Sequence, residues 1–263
     1  MTRFYTLPPV EIPYPFILIN ANRPNLYYVI RHRDFIVSVI IDSGVEIFRD
    51  PSVKDYPPNH FEKLVSLYRQ VKNIVRDAEV YVTVPDYPDD YHPKSLWLNG
   101  KTNIERTLDN ILYALNSYSE VNWLIPIQGH YRNPRSVVYA LELYQKHDIP
   151  LDRYIAVANL CVEERTRYVV ETIKLAYSWL WNNGYYHTKI HVFGPDTRSI
   201  YHIKNIIHSF DSMAWTRPRD HGGWSAKNNS ERIYMFLTYI AKHSQIIDLP
   251  LLPKTMQKVI SGG

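Results

Sequence analysis

Short apolar runs rich in β-branched residues alternate along the chain with longer stretches in which apolar residues recur every three or four positions. The short runs, at residues 16–20, 35–42, 79–86, 122–129, 153–159 and 189–194, read as buried strands, with a shorter seventh candidate at 209–213. The longer stretches read as amphipathic helices. Asn59 is placed to cap a helix over 60–76, in which Phe61, Leu64, Val65, Leu67 and Tyr68 share a face. Thr102 is placed to cap 103–117, with Glu105 at the capping-box position. Further helices are expected at 136–146, 165–183, 197–208 and 230–243, and Asn182-Asn183-Gly184 supplies a stop.

Near-continuous apolar strands separated by helices imply a parallel sheet covered by helices. Repetition of the unit favours an α/β fold closed into a (β/α)8 TIM-type barrel over an open doubly wound sheet. No clean eighth strand is visible, so a degenerate eighth unit is expected; residues 246–252 read as a last strand or a packing tail. No low-complexity linker divides the 263 residues, so a single barrel domain over 1–263 is expected.

Composition narrows the picture only slightly. Hydrophobic residues at 45% and charged residues at 21% exclude a disordered or fibrous chain. No run reaches the length of a membrane span, and the first residues lack the apolar stretch of a signal peptide, so a soluble cytoplasmic protein with no membrane partner is expected. A net charge of +4 is compatible with a polyanionic partner without requiring one. The lone cysteine, Cys161, excludes a disulfide framework and a Cys-rich zinc site, and the spacing of the 11 histidines does not suggest a metal site.

The candidate chemistry lies at the strand ends. Asp42-Ser43-Gly44, Asp86, Gln128-Gly129, Asn159 and Asp211 each close or lie on a predicted strand. In parallel α/β folds these C-terminal ends converge on one mouth. One such polar residue is most simply a turn former or helix cap; five at equivalent ends suggest a site. Three carboxylates and a Gln-Gly without metal-ligand spacing suit acid/base or covalent chemistry on a polar, planar substrate, in which a carboxylate attacks a sugar C1′ and a second shuttles protons. Spacing does not decide which carboxylate plays which part.

These residues resemble motifs of the tRNA-guanine transglycosylases and their DNA-modifying relatives, (β/α)8 enzymes that exchange guanine in a polynucleotide for a 7-deazaguanine. The run Asp42-Ser43-Gly44-Val45-Glu46-Ile47-Phe48 is similar to the family's Asp-Ser-Gly-Gly-Phe-Gln, and Ile127-Gln128-Gly129-His130 to its Gln-Gly-Gly. The run Phe210-Asp211-Ser212-Met213-Ala214-Trp215-Thr216-Arg217 is similar to its Phe-Asp-Cys-Val-x-Pro-Thr-Arg. The order and strand placement agree from about residue 16 to 220. The resemblance implies that Asp211 is the nucleophile, that Asp42 is the general acid/base, and that Ser43, Gly44, Asp86, Gln128 and the Gly129 amide bind the base. Asn159-Leu160 would stand where the family's Gly-Leu pair meets the 7-substituent. It also implies that no cofactor is needed, because the glycosidic bond energy is conserved in the exchange.

The departures are equally specific. The family's Cys-x-Cys-x-x-Cys…His zinc motif is missing from these residues, and no appended RNA-binding domain is expected after Gly263, which favours DNA over tRNA as the acceptor. The stacking aromatic of the first motif is replaced by Val45 or Glu46, so another ring, with Phe48 a candidate, has to stack on the base. Arg132, and Arg217, Arg219 and Lys227 interleaved with Trp215 and Trp224, are expected to form a phosphate-and-stacking surface for nucleic acid. The patch Arg31-His32-Arg33 reads as a solvated turn. A homodimer or a paralogous partner is compatible with this reading. The competing readings are a non-catalytic partner subunit, an N-glycosidic hydrolase, and a barrel enzyme acting on an unrelated small metabolite.

Overall fold

A computed structural model describes residues 2–160, 165–217 and 223–247 of the chain. Eight strands run parallel: β1 (Arg3–Tyr5), β2 (Phe16–Asn20), β3 (Ser38–Asp42), β4 (Glu79–Thr83), β5 (Trp123–Ile127), β6 (Tyr154–Val157), β7 (Lys189–Val192) and β8 (Ser209–Asp211). Each pairs with its sequence neighbour from β2 to β8, and β8 returns to β1 with Tyr5 opposite Asp211. Between β1 and β2, Thr6 pairs with Ile17; the Thr6 amide donates to Phe16 O at 3.3 Å and the Leu18 amide to Thr6 O at 3.0 Å. The sheet thus curls round into a TIM-type barrel, as the alternating pattern predicts.

The helices are α1 (Leu26–His32), α2 (His60–Ile74), α3 (Asn103–Ser117), α4 (Ser136–Lys146), α5 (Thr166–Asn182), α6 (Thr197–Ile203) and α7 (Asn229–Lys242). One follows each strand from β2 onward. The β1–β2 connection contains Pro8, Pro9 and Pro13 and has no helix, because proline removes the amide and the backbone freedom that a helix interior requires.

The eighth strand corrects the sequence reading. It lies at the N-terminus, where Arg3-Phe4-Tyr5 is too short and too polar at its start to register as a strand; pairing to β8 creates it. Of the segment read as a last strand or tail, the Ile246 carbonyl accepts the Thr2 amide at 2.8 Å and Ile247 bridges to Thr2, while residues 248–252 lie outside the described residues. The strand expected from residue 35 begins at Ser38, and Arg33–Phe35 forms a 3-10 turn after the unanticipated α1. In the Arg31-His32-Arg33 patch, Arg31 is exposed, but His32 is buried with Nε2 2.7 Å from Val10 O. The Thr102–Glu105 capping box is present, whereas Asn59 makes no side-chain cap bond.

Strand alternation assigns two layers. Val39, Ile41, Val80, Val82, Ile125, Ile127, Ile155 and Val157 are fully buried and form one apolar cluster with Leu64, Ile111, Val137 and Ile173 of the helices. The other strand faces point into the barrel, where side chains meet across strands that are not neighbours. Arg3 of β1 pairs with Glu79 of β4 at 2.6 Å, Tyr5 of β1 donates to Ser38 of β3 at 2.8 Å, and the Tyr81 and Tyr154 rings of β4 and β6 meet edge to face at 4.9 Å. The interior is therefore a packed core, and the polar strand ends sit on top of it. No helix among the described residues is long and apolar enough to cross a membrane.

Candidate active site

The turn after β3 is built around a glycine. Gly44 has φ +88°, and a Cβ there would stand 2.4 Å from Asn22 Nδ2. That amide donates instead to Gly44 O at 3.1 Å and to Glu46 Oε1 at 3.0 Å, so the second residue after β2 clamps the turn. The tight turn brings the Gly44 amide onto Asp42 Oδ1 at 2.9 Å, fixing that carboxyl at the mouth. Burial pushes Asp42 up to about 7 despite the Gly44 amide, and the charges of Asp211, Glu46 and Asp86 push in the same direction.

Ser43 and Gln128 converge on Asp86. Ser43 Oγ donates to Asp86 Oδ1 at 3.1 Å, and Gln128 Nε2 donates to Asp86 Oδ2. Asp86 is buried, and burial raises it to about 7 although both hydrogen bonds act to lower it. Gln128 is fully buried and its Oε1 has no hydrogen-bond partner. A buried acceptor without a donor costs about 1–3 kcal/mol. It marks a place where a ligand N–H would be welcome.

Asp211, at the end of β8, is held from the β7 side. Its Oδ1 accepts the Gly194 amide at 3.1 Å and lies 3.3 Å from His191 Nε2. Its Oδ2 has no hydrogen bond among the described residues. The three carboxylates and Gln128 thus share one mouth, as their strand-end positions predict.

Other predicted residues have different surroundings. Asn159 adopts φ +63° and its Oδ1 accepts the Asp89 amide at 2.8 Å, so this side chain ties the β6 end to the β4–α3 loop. Leu160 is buried in the main core, and Gly129 gives its carbonyl to Asn103 Nδ2 at 2.9 Å. Gly129, Asn159 and Leu160 nonetheless line one narrow cleft with Tyr131, Arg132 and Tyr168. Arg132 is exposed at φ +53° with its guanidinium 4.8 Å from the Tyr131 ring centre. Arg217 and Lys227 are exposed, and Arg219 lies outside the described residues.

Two expectations about stacking are corrected. Trp215 is 1% exposed; its indole N–H donates to Thr6 Oγ1 at 2.9 Å and its ring packs edge-on against Phe236. A base has no access to it, because α7 covers the ring. Phe48 is likewise buried, in a small cluster with Tyr87 and Leu96 that packs the β3–α2 loop onto the β4–α3 loop.

Sequence reading missed four contributors. Tyr56 donates its hydroxyl to Asp86 O at 2.9 Å while its ring stacks on His60, which in turn reaches Ser43 O at 2.8 Å. His191 and Gly194 hold Asp211. None lies in a motif. His191 could have been noticed as a polar residue between Ile190 and Val192 near the end of a buried strand, at a position whose partners only the barrel reveals. Among the described residues no group of three or more His, Cys, Asp or Glu side chains is arranged to hold a metal ion. No protein-family model matches the chain, and a search of curated proteins finds no significant match.

Proposed function

We propose that the chain is a base-exchange transglycosylase that replaces guanine in a nucleic acid with a 7-deazaguanine, through a covalent bond between Asp211 and the sugar. The observation that carries this reading is the asymmetry between two carboxyls at one mouth. Asp211 has one oxygen held by two donors and the other open, while Asp42 sits near enough to feel its charge and is raised to about 7. One group is set up to attack and the other to carry a proton near neutral pH.

In the first half-reaction Asp211 Oδ2 forms a bond to C1′ as the C1′–N9 bond breaks, and the electron pair leaves with guanine, which takes the Asp42 proton. In the second, the incoming base gives its N9 proton to Asp42, its nitrogen attacks C1′, and the ester bond breaks to restore the Asp211 carboxylate. No net oxidation or hydrolysis occurs, and no cofactor enters the balance. The Gln128 Oε1 acceptor and the Asp86 carboxyl suit the donor-rich edge of a guanine, with Asn159 and Leu160 beside the cleft that would face a 7-substituent. Exclusion of water would decide whether the ester is passed to a new base or hydrolysed.

The test is incorporation of labelled guanine into DNA and, in parallel, into tRNA, by the wild type and by Asp211→Asn. Label entering DNA and lost in the variant supports exchange with DNA as the acceptor; label entering tRNA makes tRNA the acceptor without a zinc subdomain. Free base released from the polymer without incorporation points to the hydrolase. A folded wild type giving neither overturns the reading, leaving the partner-subunit alternative.

A further inference from the structure

Beneath Asp211 runs a buried polar line that the proposed chemistry does not by itself require. His191 is fully buried, with Nε2 3.3 Å from Asp211 Oδ1 and Nδ1 2.6 Å from Ser209 Oγ. Ser209, also fully buried, shares a hydrogen bond with the Tyr154 hydroxyl of β6. The Tyr5, Tyr154 and Phe193 rings meet the imidazole edge-on at 5.7, 6.2 and 4.8 Å, which leaves it one orientation. A serine, a histidine and an aspartate in line resemble a nucleophilic triad, but the order is reversed with respect to solvent. Ser209 lies on the closed side of the histidine, and Asp211 is the member at the mouth.

The proton positions follow from what each group is able to do. An ionised Asp211 only accepts, so the imidazole proton belongs on Nε2. Nδ1 must then accept, and Ser209 is its donor. The Ser209 oxygen in turn accepts from Tyr154, a phenol that burial holds well above its usual range and so keeps as an O–H. Every donor points toward the carboxylate.

We infer that His191, held in one tautomer by Ser209 and Tyr154, is the positioning residue of the Asp211 carboxylate: it fixes Oδ1 and leaves Oδ2 for attack. The inference rests on the proposed role of Asp211 but concerns a property measurable without turnover. As the ester to C1′ forms, the carboxylate loses its charge; as the ester breaks, the charge returns, and the His191 and Gly194 N–H groups meet it at Oδ1. Of the charged groups around the mouth, Asp42 from β3 lies near enough to Asp211 to feel its charge, and the Tyr5 ring from β1 meets the edge of His191.

The experiment is a carbon-13 titration of side-chain carboxyls in the full chain, the Asp211 resonance being identified by its loss in Asp211→Asn. In His191→Phe, which keeps a ring and removes the donor, the Asp211 midpoint is expected to rise by one pH unit or more. In Ser209→Ala, which leaves the imidazole without its tautomer-setting partner, a smaller rise is expected, and His191→Gln, which restores an N–H, is expected to recover part of the shift. Exchange of labelled guanine should fall 10- to 100-fold in kcat with KM unchanged in His191→Phe. An Asp211 midpoint identical to wild type in folded His191→Phe, or in folded Ser209→Ala should His191→Phe fail to fold, overturns the inference whatever the activity. A midpoint that moves in a protein whose wild type exchanges no base upholds His191 as the partner of Asp211 and overturns the transglycosylase reading alone.

Discussion

At the lower end of the barrel interior, Tyr5 donates to Ser38, Tyr154 meets Ser209, and Arg3 pairs with Glu79 across the sheet. Burial pushes the Tyr5 and Tyr154 hydroxyls up, so they remain neutral donors, and it lowers His208 to about 4, so that ring stays uncharged beside Arg3 and Lys189. At the upper end the same strands carry three carboxylates whose charges act on one another, a glutamine acceptor without a donor, and two groups raised to about 7. The lower end resolves nearly every polar group within the protein, His208 Nε2 being its exception. The upper end gathers ionisable groups and leaves the Gln128 acceptor without a donor. Under the proposed chemistry, stability is concentrated below and reactivity above, the usual division of a barrel enzyme.

The largest expected effect separates the two ends outright. Asp211→Asn should lower base exchange by at least ~1,000-fold, since no other group at the mouth replaces the nucleophile. Its melting temperature should stay near wild type, because the amide oxygen still accepts from Gly194. Parallel exchange assays and thermal melts check this; residual exchange within tenfold of wild type would remove Asp211 from the chemistry.

Asp42→Asn sharpens the contrast by moving activity and stability in opposite directions. Loss of the proton carrier should lower exchange by about 100- to 10,000-fold. Asp42 in the folded chain keeps its proton to about pH 7, against 3.8 for the ordinary group. The unfolded chain therefore releases this proton first as pH rises. The associated stability is complete below about pH 4 and is lost as pH climbs through 7. The variant should accordingly be more stable than wild type at pH 8, by on the order of 1–3 kcal/mol, with the advantage shrinking toward pH 4. Denaturant midpoints measured across that range would show it, and a constant difference would argue that Asp42 is ionised throughout.

Ser38→Ala probes the lower end. It leaves the buried Tyr5 hydroxyl without its acceptor and should cost about 1–3 kcal/mol. Exchange per folded molecule should be unchanged, because the mouth is untouched. A drop in kcat at full folding would mean the two ends are coupled more tightly than their separate hydrogen-bond sets indicate.

The smallest effect concerns the rim. Neutralising Arg132, Arg217 and Lys227, each exposed, should weaken DNA binding without altering the melting temperature. The slope of log affinity against log salt should become shallower by about 0.9 for each phosphate that the variant no longer neutralises. An unchanged slope would place the polyanion elsewhere. Trp215→Phe, by contrast, should alter stability and not the affinity of folded protein, since the indole is enclosed beneath α7.

How much of this was legible depends on the range of the interactions. The strands from β2 to β7 and the helices α2 to α5 announce themselves because their partners repeat at fixed local spacing, and the Thr102 capping box is local by construction. The strand ends Asp42, Asp86, Gln128 and Asp211 were legible as a set because a parallel barrel sends every C-terminal end to one mouth. By itself the sequence determined the α/β class, the positions of most strands and helices, and which polar residues share an end.

Tertiary structure decided the rest. β1 is a strand only because β8 pairs with it, and three residues cannot encode that locally. Trp215 looked like a stacking platform among arginines until α7, which follows it, closed over the ring. His191 acquired its partner from a strand 20 residues away in sequence, and Tyr56 reached Asp86 across 30. Propensity and periodicity report what a residue prefers within a few neighbours, whereas the protonation and orientation of a buried polar group are set by contacts that exist only once the barrel has closed.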